Sequence, residues 1–378
     1  MSAGKPLHVH VLIDSLTWGG AETMLADFVQ GARAADVRVT VGYLAPRSEA
    51  AGKLLRLGIE PELVPIQSLL GRADRRLVKD HLAAHSPDLV HTHLAYSDFF
   101  GGLAARSLGL PMVSTLHIME WAAAPRDRVK SAIMAWARRR CAYRVIAVSE
   151  TQRQSYLASG WDRAEHVVTI HNGIVARVKP GQGKAIRADL GLDPEDLVVA
   201  MVSVLREGKG HNVAIDAIAN LGHQFPQLRL LIVGDGPIRA DVERMAQKIG
   251  DAAVFTGYRD DVLALLDAAD ILLQPSQVDA FPTSLMEAAA TRVPVVATAV
   301  GGIPEIVVPG ETGLLIDPPP AADEIAEALR VLLEDPGVRE RFGHAARQRF
   351  EANFTVSQWV SRLVDLYGEA IRSSETAK

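Results

Sequence analysis

At 378 residues, with 48% hydrophobic and 22% charged residues, the chain is too long for one ordinary domain and suits two soluble domains of roughly 100 to 200 residues each. Its single cysteine, Cys141, excludes an internal disulfide; no Cys/His spacing of zinc type stands out, so no metal is expected and a reducing cytoplasm is. Residues 1–180 carry 22 Lys+Arg against 16 Asp+Glu, a balance of +6, and residues 181–378 carry 18 against 29, a balance of −11. The acidic second half argues against a general nucleic-acid binder, while the basic first half suits an anionic partner or a membrane surface.

"MSAGKPLHVHVLID" enters a strand pattern directly, without the charged and apolar regions of a leader, and no apolar run nears the ~20 residues of a membrane span. Short β-branched runs then alternate with helix-length segments: "LHVHVLI", "VRVTVGYL", "PDLVHTH", "PMVSTLH", "RVIAVSE" and "HVVTIHNG". This alternation predicts a doubly wound parallel sheet. The polar segment 175–192 reads as a linker, after which "LVVAMVSVL", "RLLIVGDG", "AVFTGY", "DILLQPS", "PVVATAVGG" and "GLLI" predict a second such sheet. Past Pro318 the pattern is helical. The expected organisation is α/β throughout: Rossmann-like domains at 1–176 and 177–355, facing each other across a cleft, with a helix at 356–378 returning toward the first.

Ligands of open parallel sheets sit beyond the carboxyl ends of the strands. There "DAFPTSLMEA" (279–288) places Pro282 at the start of a helix with no capping side chain immediately before it, which leaves the amides of Thr283, Ser284 and Leu285 for an anion. Glu287 can accept hydrogen bonds from a vicinal diol such as a ribose; alternatively Asp279 is a distant cap and Glu287 a solvated helix residue. "VLREGKG" (204–210) sets Arg206 and Lys209 beside two glycines, which suits a diphosphate or a plain polar turn. "VGDGP" has Arg239 where a dinucleotide fingerprint needs its third glycine, and reads as a tight turn with Pro237 opening a helix. In the first half, Gly19 and Gly20 of "WGGAE" allow close backbone approach, and His117, followed by Trp121, ends a strand as a proton relay, a sugar ligand or a structural histidine. His91 and His93 share one side of a strand, but no third ligand is evident.

In this order the motifs resemble the retaining glycosyltransferases of family 4, which have the two-domain GT-B fold. The resemblance covers nearly the whole chain and is strongest over 198–316. It rests on the family's E-x7-E signature, here Asp279 to Glu287, with "GGAE", His117 and Trp121, "HNG", "KGH", "GDGP" and "GxTGLL" (310–315). It implies transfer of a sugar from a nucleoside diphosphate sugar, in the first instance a UDP-sugar, with retained configuration and without metal or cofactor. Acceptors in the family are sugars, lipid-linked intermediates or small metabolites, in polysaccharide or glycoconjugate biosynthesis. By the same resemblance Glu287 holds the ribose, and Asp279 and His117 face the donor sugar. Arg206, Lys209, the amides at Thr283 to Leu285 and the Gly19–Gly20 loop neutralise the diphosphate, while backbone around Arg259 to Val262 holds the base.

Three positions depart from the family pattern. Asp279 replaces the usual Glu and is one methylene shorter. The usual arginine falls at Val204, and Arg206 can substitute from the same face only if the strand continues. Arg292 stands where a Gly commonly closes the helix. The segment 125–144 carries seven basic residues with Val129, Ile133 and Trp136 at helical spacing, an expected peripheral membrane contact or a solvated face. Two other readings remain at this level: a non-catalytic nucleotide-sugar-binding subunit, and an NAD-dependent oxidoreductase.

Overall fold

The computed structural model describes residues 5–17, 19–68, 71–117, 125–178 and 181–376, with residues 125–128 as backbone only. Trp18 and Trp121 lie outside the described residues. The chain divides into two compact units, one of residues 1–175 with 356–378, the other of residues 176–355.

The first unit holds a seven-stranded parallel sheet of β1 (Leu7–Ile13), β2 (Val37–Tyr43), β3 (Glu62–Leu63), β4 (Leu89–His93), β5 (Met112–Leu116), β6 (Arg144–Ala147) and β7 (Val167–Thr169), in the order β3-β2-β1-β4-β5-β6-β7. The two-residue edge strand β3 has no alternating pattern of its own and was not expected from the sequence. The second unit holds β8 (Leu197–Val202), β9 (Leu228–Val233), β10 (Ala253–Gly257), β11 (Ile271–Gln274), β12 (Val295–Thr298) and β13 (Gly313–Ile316), all parallel, in the order β10-β9-β8-β11-β12-β13. Strand order reverses between β1 and β4 in one sheet and between β8 and β11 in the other, the positions beyond which open parallel sheets generally bind ligands.

Central strands are buried on both faces, which is why they read as apolar runs. In the second unit Val199, Leu230, Ile232 and Leu273 pack with Ile215 and Ile218 of helix His211–Leu221 and Leu329 and Leu332 of helix Ala322–Glu334. Each such side chain contributes about 1.5–3 kcal/mol of burial. The helix Val356–Thr376 belongs to the first unit: Val356 and Val360 fit against Gly31 of helix Gly20–Ala34 at 2.6 and 2.7 Å from where a Cβ would stand. Its Trp359 meets Phe28 edge-on, and its Tyr367 hydroxyl shares a 2.7 Å hydrogen bond with His91 Nδ1.

Two expectations change. The segment 175–192 is not a free linker, because it contains helix Gln182–Asp189. That helix is tied down by Gly183 N donating to Asp267 Oδ2 (2.7 Å) and by Arg187, which donates to the Ala268 carbonyl and to Asp270. Pro237 does not open a helix either: the helix after β9 runs Arg239–Ala246, behind Ile238.

Candidate functional site

The second unit's switch point brings together the loop after β8 and the loop after β11. Gly208, at φ +81°, offers its carbonyl to the Gln277 amide at 2.8 Å, and Gly210, at φ +77°, lies so close to the Pro275 carbonyl that no Cβ would fit. Held this way, Lys209 Nζ stands 2.6 Å from Asp279 Oδ2, with both side chains nearly buried. Gln274 Nε2 donates to the same oxygen at 3.1 Å. Asp279 is therefore a partner of Lys209 and does not cap the following helix. The shorter carboxylate still reaches the ammonium, so the missing methylene leaves this pairing intact.

That helix is Thr283–Ala290, and Pro282 is its N-cap, one position earlier than the sequence suggested. No side chain caps it. Thr283, Ser284 and Leu285 form its first turn, whose amides and dipole favour an anion. Glu287 follows half-buried on the next turn. Gly301, at φ +52°, packs on the Asp279 carbonyl, and the Gly302 amide donates to the Ala280 carbonyl at 3.0 Å. The 300–302 turn thus fixes the backbone that carries Asp279.

Arg206 lies exposed on the loop after β8. The strand stops at Val202, so the same-face alternation that would let Arg206 replace an arginine at Val204 does not extend to it. The "GDGP" glycines serve this loop: Gly234 packs on the Ser203 carbonyl and Gly236 on that of Leu205, while the Leu205 amide donates to the Asp235 carbonyl at 3.0 Å. Their missing side chains make room for protein backbone. Arg259 Nε and Nη2 grip both Asp261 oxygens at 2.7 and 2.6 Å, which rigidifies the turn leading into helix Val262–Asp267.

In the first unit the corresponding helix end is filled from within the chain. Asp14, at the end of β1, accepts from the Tyr96 amide (3.1 Å) and from the amide and hydroxyl of Ser97 (2.7 and 2.9 Å) at the start of helix Ala95–Leu108. Burial raises its carboxyl to about 6 despite those bonds. Gly19 leaves space for the Glu22 carboxylate, 2.5 Å from where a Cβ would stand, while Gly20, which opens the helix, is exposed with nothing nearby. His117 Nε2 shares a 2.7 Å hydrogen bond with His93 Nδ1, and the two rings stack. Burial holds His117 at about 4, a neutral imidazole near pH 7. Sequence reading missed Asp14, because a buried acid after a strand carries no motif, and missed the His93–His117 contact, which depends on β4 pairing with β5.

On helix Pro125–Cys141, Val129, Ile133 and Trp136 are exposed, at 62%, 37% and 53%. Arg138 is different: it is buried, with its Nε 2.6 Å from Asp98 Oδ2, and so does not belong to any basic surface.

Two family descriptions match the chain, "Glycosyltransferase Family 4" over residues 18–177 and "Glycosyl transferases group 1" over residues 183–349. A D-inositol 3-phosphate glycosyltransferase of Corynebacterium efficiens is 33% identical over 304 residues, spanning 75% of this chain and 71% of the relative. The chain belongs to the family 4-like glycosyltransferases. A relative of the same description from Streptomyces bingchenggensis is 29% identical over 97% of this chain and 88% of its own length. Among solved structures, the Anabaena protein Alr3699/HepE in complex with UDP superposes with a TM-score of 0.84 at 26% identity, over 96% of this glycosyltransferase and all of that chain. The two parallel-sheet units are those of the GT-B fold. No helix among the described residues is long and apolar enough to cross a membrane.

Proposed function

We propose that this glycosyltransferase transfers a sugar from a UDP-sugar to a hydroxyl of a sugar, lipid-linked or small-metabolite acceptor, with retention of configuration. The observation that carries the reading is the Lys209–Asp279 pair at 2.6 Å beside the uncapped helix Thr283–Ala290, at the switch point of the second sheet. Departure of a nucleoside diphosphate builds negative charge on phosphate and positive charge on the sugar. Lys209, Arg206 and the amides of Thr283 to Leu285 stabilise the first, and the Asp279 carboxylate stabilises the second. Glu287 receives the ribose hydroxyls, and the turn at Arg259 to Val262 receives the base. These fixed cations and dipoles supply the charge a metal ion would otherwise bring, so the transfer is metal-independent. No covalent nucleophile is assigned; the leaving phosphate takes the acceptor's proton on the face it departs from. The Anabaena structures with UDP and with UDP-glucose support the choice of nucleotide.

Calorimetric titration of UDP, GDP and ADP into the wild type and Glu287→Ala tests the donor assignment. Selective UDP binding, weakened about tenfold or more in the variant, is expected for loss of charged hydrogen bonds to a diol. Equal binding by both proteins, or none, would remove the assignment.

The exposed Val129, Ile133 and Trp136 suit peripheral contact with an anionic membrane on the cytoplasmic side, with Arg139 and Arg140 as its exposed cations. Sedimentation with vesicles containing anionic lipid, compared between wild type and Trp136→Ser, checks this.

A further inference from the structure

His10 on β1 and His81 and His85 on helix Arg72–His85 meet in the first unit, where one ring nitrogen from each lies within 4.8 Å of the others. His81 and His85 are four residues apart and so share one helix face. His10 Nε2 and His81 Nε2 are 3.2 Å apart. Two nitrogens on one tetrahedral zinc ion stand about 3.3 Å apart, given bond lengths near 2.0–2.1 Å. At that separation two lone pairs repel, so either a proton or a metal ion has to lie between them.

The other ring nitrogens are arranged as those of metal-bound histidines usually are. His10 Nδ1 shares a 2.8 Å hydrogen bond with Thr40 Oγ1, and His85 Nδ1 lies 3.0 Å from the His81 carbonyl, to which it can only donate. His85 Nε2 lies 3.0 Å from Glu62 Oε1, a carboxylate oxygen that only accepts, so an ion bound at Nε2 displaces the hydrogen it shares with Glu62. Glu62 Oε2 is also 3.5 Å from His81 Nδ1. Above the cluster, Gly42 on β2 leaves room: a Cβ there would lie 2.9 Å from His81 Nε2 and 3.1 Å from His10 Nε2.

We propose that His10, His81 and His85, assisted by the Glu62 carboxylate, form a binding site for a zinc-type divalent transition metal. The ion would tie helix Arg72–His85 to β1 and to the short edge strand β3, which carries Glu62. None of these residues takes part in the proposed donor chemistry, so the site is structural. Three imidazoles select zinc, cobalt or nickel over magnesium and calcium, which require oxygen ligands.

The test uses the full-length, tag-free protein after exchange against a chelator. Calorimetry with zinc chloride alone should give one ion per chain, and cobalt(II) should give the intense visible bands of a four-coordinate site. Saturating zinc should raise the melting temperature by roughly 5 °C or more, while magnesium should not. His85→Ala, at a partly exposed position, should weaken zinc binding about a hundredfold or more, and Glu62→Gln about tenfold. Gly42→Ala, which puts a methyl group into the space, should also weaken it. No zinc binding by the wild type, or zinc binding unchanged in His85→Ala, would overturn the proposal and leave the three rings as a hydrogen-bonded cluster.

Discussion

Lys209 and Asp279, 70 residues apart in sequence, form a 2.6 Å ion pair that closes the switch point of the second sheet. With the two side chains only 11% and 13% exposed, removal of one strands the other in a poorly solvated place. Lys209→Ala and Asp279→Asn are each expected to lower kcat by about 10²–10³. The double variant should lose far less than the sum of the two, because one broken pair accounts for both. Strict additivity in steady-state kinetics would show that the residues act independently.

The Asp279 backbone depends on a residue with no chemistry of its own. Gly301 sits at φ +52°, and any side chain there would collide with the Asp279 carbonyl. Gly301→Ala should therefore displace the 279–282 loop, raise the KM for the donor and lower kcat together, with a stability loss of about 1–3 kcal/mol. A melting curve alongside the kinetics checks it. An active variant with wild-type KM would show that the turn does not hold the loop.

His117 tests the first unit's share of the reaction. Its ring is held at about 4, so it stays neutral from about pH 5 upward and should contribute no ionisation to the activity profile between pH 5.5 and 8.5. His117→Ala should nevertheless lower kcat by about 10²-fold or more if the ring donates to the donor sugar. A variant with full kcat would return it to the structural role that its bond to His93 already provides.

Strand positions other than the exposed two-residue β3 were legible from the sequence because buried parallel strands are apolar runs bounded by polar turns. The motif residues of the second unit could be singled out for a related reason: Lys209 lies between two glycines after one strand, and Asp279 and Glu287 lie on the segment after another. What spacing could not convey is which of them touch. The Lys209–Asp279 contact depends on β8 and β11 being neighbours, and strand order is a property of the fold. The helix Gln182–Asp189 was hidden because its polar sequence resembles a linker; Gly183 and Arg187 hold it to residues 267–270. The "HLAAH" spacing of His81 and His85 was visible and overlooked, since its third member, His10, lies 71 residues away from His81 and meets them only where helix Arg72–His85 packs on the sheet.

Acid should destabilise the fold. His91 is held at about 3, and His117 and His211 at about 4, all chiefly by burial. As pH falls from about 6.5 toward 4, the unfolded chain takes up protons that these folded rings refuse, so their contribution is lost. Asp14 opposes them: its carboxyl, raised to about 6, binds a proton in the fold before it does so in the unfolded chain. His10 and His93, held well below the ordinary range chiefly by burial, add to the loss, while the raised Glu22 and Asp98 carboxyls side with Asp14; the lowered imidazoles outnumber the raised acids, so stability should fall with pH. Urea unfolding midpoints at pH 7.0, 6.0 and 5.0 should fall steeply, and a flat series would contradict the buried neutral histidines.

The end of helix Thr283–Ala290 offers a gain in stability. Arg292 has φ +62°, in the left-handed region, and its amide bonds the Ala289 carbonyl at 3.2 Å while the Val293 amide bonds that of Ala288 at 2.9 Å. These two bonds make a Schellman motif, whose left-handed residue is usually glycine because a Cβ is strained there. The arginine has thus kept the cap that its side chain disfavours. Its side chain is exposed, so little packing opposes replacement. Arg292→Gly is expected to raise stability by about 0.5–1 kcal/mol, the strain relieved less the added freedom of the unfolded glycine. Because the same helix carries Thr283, Ser284, Leu285 and Glu287, UDP affinity should be unchanged or slightly improved. A lower unfolding midpoint would mean that the Arg292 side chain contributes more than its backbone costs.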